Sequence, residues 1–395
     1  MALGALAAIG GCTPATSHQS PESAVSPAPS LNPDFQRYVG AYRTNDGVVL
    51  LVNASGHLLN LRDSNIRQLF ATALLDRFTI GPAFGVPTPK QADVSFHMKG
   101  GRADALTLTP LRGQRVQASR SLFQESEVRI PAHGATLAGT VTEPLTAGPH
   151  PGIVIIHGSE PGQRFYYGVW VGFYASLGFT VLAYDKRGHG ESTGTYPGEY
   201  ASVDALTTYA DDATAAMNFL ATWPGVDPHR VGFHGGSQGG WTVPLAIQRF
   251  HAPAAFAVLL SAPAVTVDQH DAWAGFSASS TNLPSESEAD MLAQVRTVPT
   301  TGYDPRPVLA GVTQPILWLN GAVDRQVPTV INTEILRSFN RKSWDIGVLP
   351  GVDHGLFENP SGLEPDEARA THLAVGMWQQ IAKWLVINAG SEPLS

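Results

Sequence analysis

A single cysteine, Cys12, excludes any disulfide within this chain of 395 residues. Charge is sparse: 25 Lys and Arg stand against 33 Asp and Glu, a net charge of −8. That balance forms no basic stripe and argues against nucleic acid as a partner. No apolar run reaches the length of about 18 residues that a bilayer-spanning helix needs. Metal-ligand spacings such as His-Glu-x-x-His or clustered Cys and His are missing, so no metal is expected. The glycines near Gly235 lack an acidic ribose partner at dinucleotide spacing, and no flavin, nicotinamide or phosphate cofactor is implied. What remains is a chain with 43% hydrophobic residues, long enough for one large domain and a smaller one.

The segment Ile9-Gly10-Gly11-Cys12 follows a short apolar run and resembles the lipobox of bacterial lipoproteins. Small residues before the cysteine would admit a signal peptidase, and Cys12 would carry the lipid. This reading makes the protein an exported or lipid-anchored protein of the cell envelope; a ragged cytosolic N-terminus is the plainer alternative. Residues 13–33 are rich in Ser, Pro, Ala and Thr, cannot bury a core, and read with residues 1–12 as a leader and tether.

Residues 34–124 have the texture of a small antiparallel β domain. Short apolar segments at Gly47–Val52 and Ala105–Leu108 are broken by hairpin punctuation at Asn53–Gly56 and Gly100-Gly101. The run Phe35–Tyr42 resembles the opening of small lipocalin-like domains appended to bacterial serine hydrolases. Nothing in this segment suggests a second active site, and a structural appendage is the expected role.

From residue 125 to 395 strands alternate with helices, the pattern of a mostly parallel sheet with helices on both faces. A hairpin through Val128–Ile130 and Leu137–Val141 opens it. Buried strands are expected at Gly152–His157, Thr180–Tyr184, Val231–His234, Phe256–Leu260, Ile316–Asn320 and Asp345–Leu349. Helical periodicity marks Val169–Leu177, Ser202–Thr222, Gly239–Phe250, Thr329–Phe339 and Glu364–Ile387. The stretch at about 265–312 is an insertion of the kind that forms a lid.

Gly235-Gly236-Ser237-Gln238-Gly239 joins the strand at Val231–His234 to a helix. On that turn the serine adopts a strained conformation, and the flanking glycines are expected to avoid collisions a Cβ would cause. Serine needs a base, and the base needs an orienting carboxylate. Asp324 follows the strand Ile316–Asn320, and His354 follows Asp345–Leu349. Both therefore lie on loops at the edge where a parallel sheet presents its ligands.

Together His157-Gly158-Ser159, Asp185-Lys186-Arg187-Gly188-His189-Gly190-Glu191-Ser192, the serine turn and these two loops resemble the α/β-hydrolase superfamily. The pattern is similar to bacterial serine esterases and to the serine aminopeptidase-like and prolyl-oligopeptidase-like branches. The resemblance implies an α/β-hydrolase fold and a triad of Ser237, Asp324 and His354 acting through an acyl-enzyme. It also implies an oxyanion hole from the backbone N–H groups of Gln238 and Ser159, with Glu160 as the alternate to Ser159. The expected activity is hydrolysis of a small carboxylic ester. A peptidase or thioesterase on the same triad is the alternative, and a binding module that merely kept the fold is disfavoured.

Other residues have plainer readings. His234 is expected to pack beneath the site, His189 to serve its turn, and Asp185 to hold backbone N–H groups. Asp324 is preferred over the adjacent Asp353 and over Asp345 as the acid. Asp211-Asp212 reads as a solvated charge pair, and Glu286 and Glu288 as surface charge that could hold a substrate amine. Trp273, Phe276 and Met291 either line an apolar pocket or form the core of the insertion.

Overall fold

The computed structural model describes residues 35–198, 201–277 and 283–392. Cys12 and its lipobox-like surroundings lie outside these residues.

The first sheet comprises β1 (Gly40–Thr44), β2 (Val49–Val52), β3 (His57–Asn60), β4 (Ile66–Gln68), β5 (Phe70–Ala71), β6 (Arg77–Ile80), β7 (Ala92–Lys99), β8 (Arg102–Pro110) and β9 (Val116–Arg120). Their order is β4-β3-β2-β1-β9-β8-β7-β6-β5. Sequence neighbours pair throughout, and β9 returns to β1, which is the order of an up-and-down barrel opened between β4 and β5. Gly100 and Gly101 turn β7 into β8 with φ of 59° and 86°, a conformation that a Cβ would strain. Tyr42, Leu50, Phe78, Val94, Phe96 and Leu106 fill the inside.

The second sheet comprises β10 (Phe123–Ala132), β11 (Ala135–Pro144), β12 (His150–Ile156), β13 (Thr180–Tyr184), β14 (Val226–Gly236), β15 (Phe256–Leu260), β16 (Ile316–Gly321) and β17 (Trp344–Leu349). Its order is β10-β11-β13-β12-β14-β15-β16-β17, antiparallel at the β10 and β11 end and parallel from β13 onward. The helices are α1 (Gly168–Ser176), α2 (Val203–Ala221), α3 (Gly239–Arg249), α4 (Val267–Phe276), α5 (Glu288–Thr297), α6 (Arg306–Gly311), α7 (Thr329–Ser338), α8 (Glu364–Glu367) and α9 (Met377–Ala389). Trp170 and Phe173 of α1 join Trp378 and Ile381 of α9 on one face. Leu206 and Met217 of α2, Leu245 of α3 and Leu336 of α7 cover the other. Both faces are therefore apolar, which is why the inner strands read as continuous hydrophobic runs. The strand order reverses at β12, so the loops after β12 and β14 diverge and leave a crevice at the C-terminal edge.

One expected helix is corrected. Glu364–Ile387 is not continuous: α8 stops at Glu367, and α9 begins at Met377 after Gly376 at φ 81°. Backbone pairing outside the segment wins over local helical periodicity. After a turn at Ala368 and Arg369, residues 370–374 run between the first sheet and the loop that carries His354. On one side Ile66 N–H donates to Thr371 O, Phe84 N–H to Ala370 O and Leu373 N–H to Ser64 O. On the other, Glu358 N–H donates to His372 O and Ala374 N–H to Leu356 O. Phe84 packs on Phe357 at 5.0 Å between ring centroids, closing the same seam.

Glu367, at the end of α8, is only 2% exposed, and its Oε1 lies 3.1 Å from where a Cβ on Gly355 would stand. Burial, and then the Asp353 charge, push its pKa up to about 9 from 4.5. Between those values the unfolded chain has released a proton that the folded chain keeps, so raising the pH through this window weakens the fold. Glu367→Gln should therefore melt higher than the parent at pH 8.5, the margin shrinking toward pH 5. Thermal melts at both pH values test this, and an equal margin at each would mean the folded glutamate is ionised.

Candidate active site

Ser237 follows β14 with φ of 49°, a left-handed conformation held because its N–H donates to Leu260 O on the neighbouring strand. A Cβ on Gly235 would sit 3.1 Å from Leu259, a tight fit, as the sequence suggests. At Gly239 the nearest atom would be 3.7 Å away, so that glycine is not sterically required. Gly240 is the obligatory one: a Cβ there would meet Ala262 at 2.7 Å and the Pro263 nitrogen at 2.8 Å.

The three loops converge. His354 Nε2 lies 3.2 Å from Ser237 Oγ, and His354 Nδ1 lies 2.8 Å from Asp324 Oδ2. Asp324 Oδ1 accepts the N–H groups of Gln326 and Val327, both at 2.8 Å. This pattern places the neutral-histidine proton on Nδ1 and leaves Nε2 to accept from the serine. All three side chains are buried. Burial pulls the His354 pKa down, but the charge and hydrogen bond of Asp324 outweigh it, and the net position is above the usual 6.5.

Asp353 faces away from the histidine ring. It accepts from Phe357 N–H and Asn359 Nδ2, both at 2.9 Å, and so braces the loop. Burial, with the Asp324 charge adding to it, lifts its pKa to about 7. Asp345 accepts from Trp384 Nε1, remote in role from the serine. His234 packs beneath the turn between Trp170 and Tyr174, where burial drops its pKa to about 3. His189 packs edge-on against Tyr196 within its turn, and Asp185 accepts the N–H groups of Arg164 and Glu191 as well as the Arg164 guanidinium. Asp212 corrects the reading of a solvated pair: it is 2% exposed and binds Arg187 through both oxygens at 2.5 and 2.7 Å.

The loop after β12 lies against the serine. A Cβ on Gly158 would stand 3.6 Å from Ser237 Cβ. Gly158 N–H donates to Tyr167 Oη at 3.2 Å, and the N–H groups of Gly158 and Glu160 also face the Glu160 carboxylate. Of the N–H groups of Gly158, Ser159 and Glu160, that leaves Ser159 without a partner among the described residues. Gln238, the other expected donor, caps α3.

The insertion forms its own core. Trp273 and Met291 pack with Val265, Val295 and Ile331, while Phe276 is 38% exposed. Trp273 Nε1 donates to Asp324 O at 3.0 Å, and Arg325 Nη1 donates to Ser277 O. The insertion is thus tied to the acid's loop, a role that aromatic content alone does not reveal. Glu286 and Glu288 are exposed.

Residues 148–295 match the family model described as serine aminopeptidase, S33. A stretch of 91 residues is 36% identical to a bifunctional esterase/perhydrolase of Acinetobacter calcoaceticus, covering 23% of this chain and 29% of that protein. Another of 63 residues is 40% identical to a polyketide transferase of Penicillium crustosum, covering 16% and 19%. The matched stretches thus span less than a third of either curated relative. Among solved structures, a Bacteroides ovatus protein described as a dipeptidyl aminopeptidase IV superposes with a TM-score of 0.50 at 15% identity. That superposition covers 87% of this chain and 48% of the other, and it speaks to the fold. With the strand order and the serine turn already described, the second sheet and its helices have the α/β-hydrolase fold, and residues 148–295 within it match the serine aminopeptidase, S33 family model.

Proposed function

We propose that the protein hydrolyses carboxylic esters through an acyl-enzyme on Ser237. The observation that carries this reading is the unbroken hydrogen-bonded line from Ser237 through His354 to Asp324. His354 takes the Ser237 proton as Oγ attacks the ester carbonyl, and Asp324 stabilises the imidazolium that forms. The N–H groups of Gln238 and Ser159 receive the oxyanion, a contribution of roughly 3 kcal/mol per donor. His354 then protonates the leaving alcohol, and water, deprotonated by the same ring, releases the acid.

An ester is favoured over an amide because Glu286 and Glu288 of the insertion are exposed rather than turned into a pocket that would hold a substrate amine. The esterase activity of the Acinetobacter relative agrees with this choice. The second reading, a peptidase, draws on the aminopeptidase family model.

Ser237→Ala should fold and lose turnover of p-nitrophenyl esters from acetyl to decanoyl, whereas aminoacyl p-nitroanilides should be poor substrates of the parent. Retained ester turnover in that variant would sink the mechanism; faster anilide turnover in the parent would move the assignment to a peptidase.

Asp324→Asn should cost a factor on the order of 10⁴ in kcat, and Asp353→Asn less than about tenfold. Because His354 works as the neutral ring and its pKa is raised, parent activity should climb with pH to a midpoint above 6.5. The residual activity of Asp324→Asn should reach its midpoint at lower pH, since the charge that raises the histidine is gone. A pH–rate profile of each variant tests both points.

A further inference from the structure

We propose that Lys186 is a positioning residue for the oxyanion hole, a role that rests on the ester-hydrolase reading above. Lys186 is 3% exposed, at the C-terminal end of β13, in a protein whose other cations mostly face water. Its Nζ donates to Gly158 O at 2.8 Å and to Glu160 O at 3.0 Å, so the ammonium brackets Ser159 from both sides. It also lies 4.4 Å from the Tyr209 ring centroid, and its own N–H is anchored on Gly162 O.

The peptide between Gly158 and Ser159 is trans, so its C=O and N–H point in opposite directions. Lys186 holds the carbonyl side, which turns the Ser159 N–H away from the ammonium. A cation on the carbonyl oxygen also withdraws electron density from the amide, making that N–H a stronger donor to a developing oxyanion. The neighbouring N–H groups of Gly158 and Glu160 face the Glu160 carboxylate, which itself accepts from Tyr167 Oη. Burial pushes the Glu160 pKa up, while the Lys186 charge opposes that shift. His157 is neutral in the same cluster, its pKa lowered to about 3 by burial and then by Lys186.

The role predicts a loss confined to the transition state. Lys186→Met should lower kcat for p-nitrophenyl butyrate about tenfold to a hundredfold, with KM within about twofold. Inhibition by an alkyl boronic acid, which forms a tetrahedral adduct on the serine, should weaken by the same factor. Lys186→Gln, which still donates but carries no charge, should fall between parent and Lys186→Met, and it carries the same comparison if the methionine variant does not fold. Unchanged kcat, or a kcat loss with boronate inhibition intact, would overturn the proposal. If instead the parent neither turns over esters nor reacts with a fluorophosphonate, the ester-hydrolase reading fails, and this inference falls with it.

Discussion

Burying a carboxylate beside a histidine imposes the constraint around which this molecule is arranged. Asp324 is 2% exposed, and an ionised carboxyl removed from water is costly unless donors surround it. Two backbone N–H groups and the His354 ring meet that need. The first two come from the turn that ends β16, so the loop must close tightly. The third comes from the loop after β17, so that loop must lean across β16. The insertion then grips the Asp324 carbonyl through Trp273, which ties the acid to a third element. Once the carboxylate is satisfied, the far nitrogen of His354 has one direction left, toward Ser237.

Much of this geometry is legible in the chain because it depends on local rules. Gly235, Ser237 and Gly239 announce a strand-to-helix turn; Asp324 follows a buried apolar run, whereas His354 follows β17, expected to be buried but lying at the sheet edge with only Trp344 fully covered. The runs Thr180–Tyr184 and Phe256–Leu260 form strands with the bounds their composition suggests. What escapes such reading is set by partners distant in sequence. Gly240 is demanded by Ala262, and nothing near it in sequence signals that contact. Lys186 and Asp212 look like solvent-facing charges until tertiary structure brings carbonyls to one and Arg187 to the other. Residues 370–374 carry helical periodicity, yet their backbone groups pair on both sides with other chain segments. Sequence periodicity reports one amphipathic face; it is silent about a segment held by its main chain.

The two sheets meet through more than apolar contact. Leu51, Leu59 and Ile66, on the outside of the first sheet, share a core with Trp170, Phe173 and Trp378 of the second. Arg67 Nη1 donates to Thr371 O, and Gln379 Nε2 donates to Leu61 O, adding polar bonds that a loose appendage would lack. The β domain thus supports the far side of the histidine loop, and its contribution to the site is mechanical rather than chemical.

The paired segment at 370–374 also has a meaning in time. Its bonds to the first domain join residues 286 to 310 positions apart, as in Phe84 with Ala370 and Ser64 with Ala374. Contacts of such separation form late, because a long loop of chain must close before they return any stabilisation. During synthesis the first sheet leaves the ribosome with one flank unmatched, and it must wait for nearly the whole chain before that flank is covered. The loop that carries His354 is braced by the same late contact. The contact between His354 and Ser237 therefore forms late, and a partly made chain sets Ser237 on its turn before His354 is firmly seated.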